Sequence, residues 1–371
     1  MKAALPSSFP FGSAVQLARA VRTGKVGAVE LLQAYLERVD RLNPAINAVV
    51  VDDRAAALKQ ARAADRALAK GVKVGPLHGV PITVKESFNL VGQPTTWGFP
   101  ELKGNIATAD AVVVQRLRAA GAVIFGKTNV PLSLADFQSY NEVYGTTNNP
   151  WDHTRGPGGS SGGSAAATAA GLSGLEYGSD IGGSIRNPAA YCGVYGHKPT
   201  FGIVPKRGQT IDNSILTEGD ISVVGPIARS AADLALALDV TAGPDVLLAP
   251  GWKLQLPKAP TSLRGLRVAV WSDQPDIAPV DDEVRDRIEA AGDALRRAGA
   301  KVHYDVRPEF DPAEAHETYQ RLLMALMAPP GDAYREMVAR AAALDPADRG
   351  PYAQQLRWAT ASYRAVAIAA N

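Results

Sequence analysis

A serine at the end of a glycine run is the first place where residue types in this chain suggest chemistry. Ile181-Gly-Gly-Ser184 sets successive backbone N–H groups beside a hydroxyl. Glycines allow positive φ and close approach, so such a run can turn its N–H groups into one concavity and hold an anion or the oxyanion of a reacting carbonyl. The residues that follow, Ile185-Arg-Asn-Pro-Ala-Ala-Tyr-Cys-Gly193, are expected to form one short helix. Pro188 is tolerated in a first turn and Gly193 suits the C-terminal cap. Ser184 then stands at a helix N-terminus, where developing negative charge is favoured. A serine hydroxyl needs a base to become a strong nucleophile. Lys85 ends the apolar stretch Gly79-Val-Pro-Ile-Thr-Val-Lys85. A lysine there is ordinarily a surface residue whose stem lies along the sheet while its ammonium reaches water. Beside buried backbone it can instead lose its proton through desolvation and serve as the base, as in Ser-Lys hydrolase arrangements.

Other short patterns compete for attention. Gly121-Ala-Val-Ile-Phe-Gly-Lys-Thr128 fits the phosphate-loop pattern letter for letter. That mechanism requires the middle residues to form a loop that wraps phosphate, whereas Ala-Val-Ile-Phe reads as strand and Pro131 follows soon after the lysine. Gly158-Gly-Ser160-Ser-Gly162 fits G-x-S-x-G, the nucleophile elbow, which needs a strand immediately before it. Asp152-His-Thr-Arg-Gly-Pro157 is polar and broken. The histidines, His78, His153, His197, His303 and His316, have no paired-ligand spacing, so no metal site is expected.

These groups need a sheet end and a helix start to hold them. The stretch Gly156–Ser184 contains ten of the chain's 35 glycines, a composition that a flexible linker could share. Ser164–Ala170 nevertheless reads as a helix ended by Gly171, and Leu175–Tyr177 as a short strand, so the stretch is expected to be ordered. Before it, Ser13 caps a helix through Arg22, and Val29–Leu42 is a longer amphipathic helix stopped before Pro44. Ala45–Val51 reads as a buried strand, Arg54–Ala69 as a helix, Gly79–Lys85 as a strand, Ala109–Ala120 as a helix and Ala122–Phe125 as a strand. After it come a helix at Ala228–Val240, a Pro- and Gly-rich loop over 241–264, a strand at Leu266–Trp271, a helix at Asp282–Ala298 and a strand at Lys301–Val306. Helices at Glu314–Met327 and Ala333–Ala343 follow. Strands alternating with helices imply βαβ units and a parallel or mixed sheet, an α/β fold.

Composition limits the partners. A chain of 371 residues that is 46% hydrophobic and 20% charged is long and apolar enough to bury a large core. Its 39 basic and 37 acidic residues give a formal charge of +2, which supplies no electrostatic reason to expect nucleic acid or an anionic membrane. Cys192 is the sole cysteine, so an intrachain disulfide is excluded and a reducing compartment suits the chain. The first residues lack an apolar signal region, and no run approaches the roughly 18 apolar residues of a membrane span. A cytoplasmic location is expected.

Several motifs, in order, resemble the amidase signature family: Gly79-Val-Pro-Ile-Thr-Val-Lys85-Glu, Gly126-Lys-Thr-Asn129, Asn149-Pro-Trp151, Gly158-Gly-Ser-Ser-Gly-Gly163, Asp180-Ile-Gly-Gly-Ser-Ile-Arg186 and Cys192-Gly-Val-Tyr-Gly-His-Lys-Pro-Thr200. The resemblance is strong from about Ser13 to about Arg229 and weaker beyond. It implies a central mixed β-sheet covered by helices on both faces, in a single domain over 1–371. It implies Ser184 as nucleophile, Ser160 as a bridging serine on a cis peptide bond, and Lys85 as neutral base. The N–H groups of Ile181, Gly182, Gly183 and Ser184 would form the oxyanion hole, and Leu134 and its neighbours would border the acyl pocket. The implied activity is hydrolysis of a small amide, anilide, ester or carbamate through an acyl-enzyme, without cofactor or metal. Two alternatives stay open: the glutaminase component of an aminoacyl-tRNA amidotransferase, and an inactive binding module.

Two features depart from the family pattern. His197 stands where relatives commonly carry an apolar residue, and the C-terminal segment that would return to the core is missing after Asn371. A sheet lacking its closing strand exposes an edge and an apolar face. The chain, ending in the apolar run Ala365-Val-Ala-Ile-Ala-Ala370, is therefore expected to form homo-oligomers or aggregate when expressed alone.

Overall fold

In the computed structural model, which describes residues 9–211, 219–274, 278–327, 332–350, 353, 356, 357 and 360, Ser13 starts the first helix with a reciprocal cap. Its Oγ accepts from the Gln16 N–H at 3.1 Å while the Gln16 side chain accepts from the Ser13 N–H at 3.0 Å. This gives α1 (Ala14–Arg22), followed by α2 (Ala28–Ile46). The second helix runs past Pro44, where a stop was expected. Its last turn is held from outside the helix: Ile46 is buried, Asn47 adopts the left-handed conformation, and the Asn43 side chain accepts the Ala48 and Val49 N–H groups at 2.9 Å each. The strand expected from Ala45 therefore begins only with β1 (Val49–Asp52).

The next elements are α3 (Arg54–Ala69), β2 (Pro81–Lys85), α4 (Val112–Ala119) and β3 (Val123–Thr128). β2 runs parallel to β3 and β1 antiparallel to it, in the order β1-β3-β2. Every residue of β2 and β3 is buried, as a strand covered on both faces requires. β3 continues beyond Phe125 through Gly126, Lys127 and Thr128, so the phosphate-loop pattern is a strand. Its second glycine answers to packing: a Cβ on Gly126 would collide with the Val51 carbonyl of β1.

A short hairpin of β4 (Tyr140–Asn141) and β5 (Gly145–Thr146) leads to α5 (Gly162–Ala169), β6 (Glu176–Asp180), α6 (Arg186–Cys192), β7 (Tyr195–Gly196), β8 (Val223–Ala228) and α7 (Ala231–Thr241). β6, β8 and β7 form an antiparallel sheet with β8 in the centre. Sequence reading missed β8 because Gly225 and Pro226 interrupt it, and proline is usually confined to edges. Here the Pro226 carbonyl accepts the His197 N–H at 3.0 Å. β2 of the first sheet lies beside β6 of the second, so mixed strands and packed helices make an α/β fold. α2 and α3 pack on the first sheet, α5 on both, and α7 on the second. The shared core includes Leu31, Leu32 and Tyr35 from α2, Ile82 and Val84 from β2, and Tyr177 from β6.

The chain divides into two compact units, Met1–Leu254 and Gln255–Asn371. In the second, β9 (Arg267–Ala269) and β10 (Lys301–His303) pair in parallel across α8 (Asp282–Arg297), the βαβ unit that the sequence suggests. α9 (Pro312–Met327) and α10 (Asp332–Ala342) follow. The apolar run 365–370 lies outside the described residues. Among the described residues, no helix is long and apolar enough to cross a membrane.

Candidate active site

β2 delivers Lys85 into an interior with no access to water; its exposure is 0%. Its Nζ lies 2.7 Å from Ser160 Oγ and 3.0 Å from Ser179 Oγ. Burial disfavours the charged amine and lowers it to about 7, a shift that the nearby Asp180 and Glu86 carboxylates oppose. Ser160 reaches it from the turn before α5, and the Gly159–Ser160 peptide bond is cis, as the resemblance implies. No strand precedes Ser160, so the segment is not a nucleophile elbow.

Ser184 is brought to the same place from the other side. The Ser161 N–H donates to the Ser184 carbonyl at 3.1 Å, which ties the residue after Ser160 to Ser184 itself. Ser184 lies at the foot of α6 with 5% of its surface exposed, and its hydroxyl has no hydrogen-bond partner among the described residues. The loop before it is organised by Asp180, at the end of β6. One Asp180 oxygen accepts the Gly183 N–H at 2.9 Å and the other the Ile185 N–H at 3.0 Å, while Arg186 grips the carboxylate with two nitrogens at 3.0 and 2.8 Å. Burial would raise this carboxyl, but the Arg186 guanidinium and the backbone amides outweigh it and hold it below its ordinary value. The Gly183 N–H is thus committed to Asp180. The N–H groups of Ile181, Gly182 and Ser184 have no protein partner among the described residues and remain available to an oxyanion. Gly183 holds φ 130°, a conformation that L side chains rarely adopt.

Leu134 stands half-buried in a turn with φ 59°, next to Ser133, whose N–H donates to the Trp97 carbonyl at 2.8 Å. Within this segment it is Phe137 whose ring meets the nest: a Cβ on Gly183 would lie 3.4 Å from Phe137 Cε1. Phe137 is half exposed, with its ring beside Gly183, the residue before Ser184. Cys192 is excluded as a rival nucleophile, since burial pushes its thiol up to about 12. Sequence reasoning did not single out Ser179, Asp180 or Phe137. Asp180 was the most readable of them, because a carboxylate just before a glycine run is placed to accept that run's own amides.

A buried lysine joined to one serine, with a second serine backed by free amides, is the equipment of a serine-dependent acyl-transfer enzyme. The sequence model of the Amidase family matches residues 30–342, and the chain belongs to that family. An acylamidase of Rhodococcus erythropolis is 43% identical over 78% of this chain and 60% of its own length. One component of the glutamyl-tRNA(Gln) amidotransferase of Acidothermus cellulolyticus is 40% identical over 82% of this chain and 60% of its own length. The structure of 6-aminohexanoate cyclic dimer hydrolase superposes with a TM-score of 0.75 at 31% identity, over 97% of this chain and 74% of the other. The chain thus spans about 60% of the length of these curated relatives.

Proposed function

We propose that this chain hydrolyses the C–N bond of a small amide through an acyl-enzyme on Ser184. The observation that carries the reading is the 2.7 Å contact of the fully buried Lys85 with Ser160, next to a serine with free neighbouring amides. Neutral Lys85 takes the Ser160 proton as Ser160 takes that of Ser184. Ser184 Oγ then bonds to the substrate carbonyl carbon, and the C=O electron pair moves onto oxygen, where the amides of Ile181, Gly182 and Ser184 hold it. Collapse re-forms the C=O bond and breaks C–N, and the departing nitrogen takes the proton back along the same serines. Water repeats the sequence on the ester, releasing the acid and restoring Ser184. Every proton moves among Ser184, Ser160, Lys85 and the reactants. Of the relatives, the acylamidase and the cyclic dimer hydrolase bear names that fit this reading.

A second reading, the ammonia-supplying component of an amidotransferase, has the 40% identity to the Acidothermus cellulolyticus protein in its favour. It requires glutaminase activity and a stable partner. Treatment with a fluorophosphonate followed by peptide mapping tests the common chemistry: Ser184 is expected to carry the adduct. Modification of Ser160 with Ser184 untouched would overturn the assignment of the nucleophile, and an amide panel including glutamine separates the two readings.

A further inference from the structure

The two sheets that carry the candidate site share no strand ladder where they meet. β2, which bears Lys85, pairs with β3, and β6, which bears Ser179 and Asp180, pairs with β8. Backbone pairing therefore does not fix how far β2 sits along β6, although the contact of Lys85 with Ser179 depends on it. A few other bonds span the junction. The Gly174 N–H donates to the Pro81 carbonyl at 3.0 Å, the Thr83 N–H to Ser173 Oγ at 2.9 Å, and the Thr83 hydroxyl to Glu176 Oε1. Thr83 and Lys85 are two residues apart on one strand, so their side chains share a face about 7 Å apart.

We propose that Glu176 is a positioning residue, which grips Thr83 across the junction and thereby sets where Lys85 meets Ser160 and Ser179. This rests on the acyl-transfer reading above. The groups facing its carboxyl are all neutral: Thr83 from β2, Thr128 from β3, Ser164 from α5 and the Tyr177 N–H of β6. Thr128 and Ser164 bond one another at 2.8 Å, and Glu176 Oε2 has no hydrogen-bond partner among the described residues. Burial among such groups pushes the carboxyl up to about 8, so it keeps its proton at neutral pH. Ionisation above that pH puts an unpaired charge into a dry junction, which favours entry of water and loosening of the grip on Thr83.

The test uses the full chain and its Glu176→Leu, Glu176→Gln and Thr83→Val variants. Two readouts are followed between pH 6 and 10: the rate of fluorophosphonate labelling at Ser184, and the protection of Lys85 from a pulse of acetic anhydride, read by mass spectrometry. Misplacing a reacting group by about 1 Å costs about 10²-fold, so Glu176→Leu is expected to slow labelling by that order and to expose Lys85 to acetylation. Glu176→Gln, whose amide oxygen still accepts from Thr83, restores most of the rate at pH 7. It also holds that rate above pH 8, where the unmodified chain declines. Thr83→Val added to Glu176→Leu brings little further loss, because both remove one bond. The proposal is overturned if Glu176→Leu labels and protects Lys85 as the unmodified chain does, or if Glu176→Gln declines at alkaline pH just as that chain does. Should Glu176→Leu not fold, the alkaline limb of Glu176→Gln decides alone. Failure of the unmodified chain to label at Ser184 would instead remove the acyl-transfer reading, and Lys85 protection would still decide the role of Glu176.

Discussion

Lys85 and Lys127 invite comparison, because they occupy the ends of neighbouring parallel strands and share nearly everything except their partners. Lys127 is paired with Val84 across the ladder, and Thr128 with Lys85. Both lysines are completely buried. Burial lowers Lys85 to about 7 and Lys127 to about 8, and Glu86 opposes the shift in each. Lys85, however, meets two hydroxyls, which can both give and take a proton. Lys127 donates to the Pro94 carbonyl and, at 3.0 Å, to Thr95 Oγ1. The carbonyl has no proton to exchange, and among the described residues the Thr95 hydroxyl has no hydrogen-bond partner besides Lys127 to pass one on to. Lys127 therefore tethers the segment that Glu86 also holds through the Thr96 and Trp97 N–H groups at 2.6 and 3.0 Å. A depressed amine thus reports burial, and its role has to be read from what it touches.

The sharpest way to break this comparison is to remove each amine in turn. On the proposed mechanism, Lys85→Ala is expected to lower kcat/KM by about 10³-fold or more, since loss of one member of such a relay removes most of the rate enhancement. Circular dichroism and gel filtration control for folding. Amide hydrolysis close to that of the unmodified chain would take Lys85 out of the mechanism. Lys127→Met is expected to leave turnover within a few-fold.

The dependence on pH tests the same contrast less drastically. A protonated Lys85 cannot accept the serine proton, and its folded value lies below its ordinary one, so activity is low in acid and rises as pH passes about 7. The rise is about tenfold per unit on the steep part, and the ionisation of Glu176 proposed above turns it into a decline beyond about pH 8. Lys127→Met should leave this limb where it is. A displaced limb in that variant would mean that Lys127, and not Lys85, titrates with the activity.

Much of this arrangement was legible in the sequence. α3 begins and ends where the Ala/Arg-rich run from Arg54 to Ala69 does, and α6 ends at the Gly193 cap that its sequence suggests. Periodicity and caps are local, and these elements follow local rules. β8 was hidden because Gly225 and Pro226 read as breaks. Only the tertiary setting shows that Gly225 makes room for the His197 carbonyl. The end of α2 was misplaced for a similar reason, since Asn43 and a buried Ile46 outweigh Pro44. In the candidate site, Lys85, Ser160 and Ser184 stand in recognisable motifs. The allocation of amides among Asp180 and the oxyanion nest, and the Thr83–Glu176 grip between sheets, depend on distances that no spacing in the sequence encodes.

The smallest expected effect concerns the tether itself. Lys127→Met leaves the Pro94 carbonyl and Thr95 Oγ1 without their donor, and buried groups left unpaired cost about 1–3 kcal/mol each. Loss of a desolvated amine offsets part of this, so a net destabilisation of about 1–3 kcal/mol is expected near pH 7. The sign of the pH dependence follows from the depressed value. Between about 8 and the ordinary 10.5, the unfolded chain holds a proton on Lys127 that the folded chain does not. Stability from this group therefore rises with pH across that window, and is constant below it. Lys127→Met lacks that rise, while Lys85 contributes equally to both proteins. The gap in urea denaturation midpoint between the two should consequently widen from pH 7.5 to pH 9.5. A gap that is absent at both values would show that Lys127 holds nothing in place.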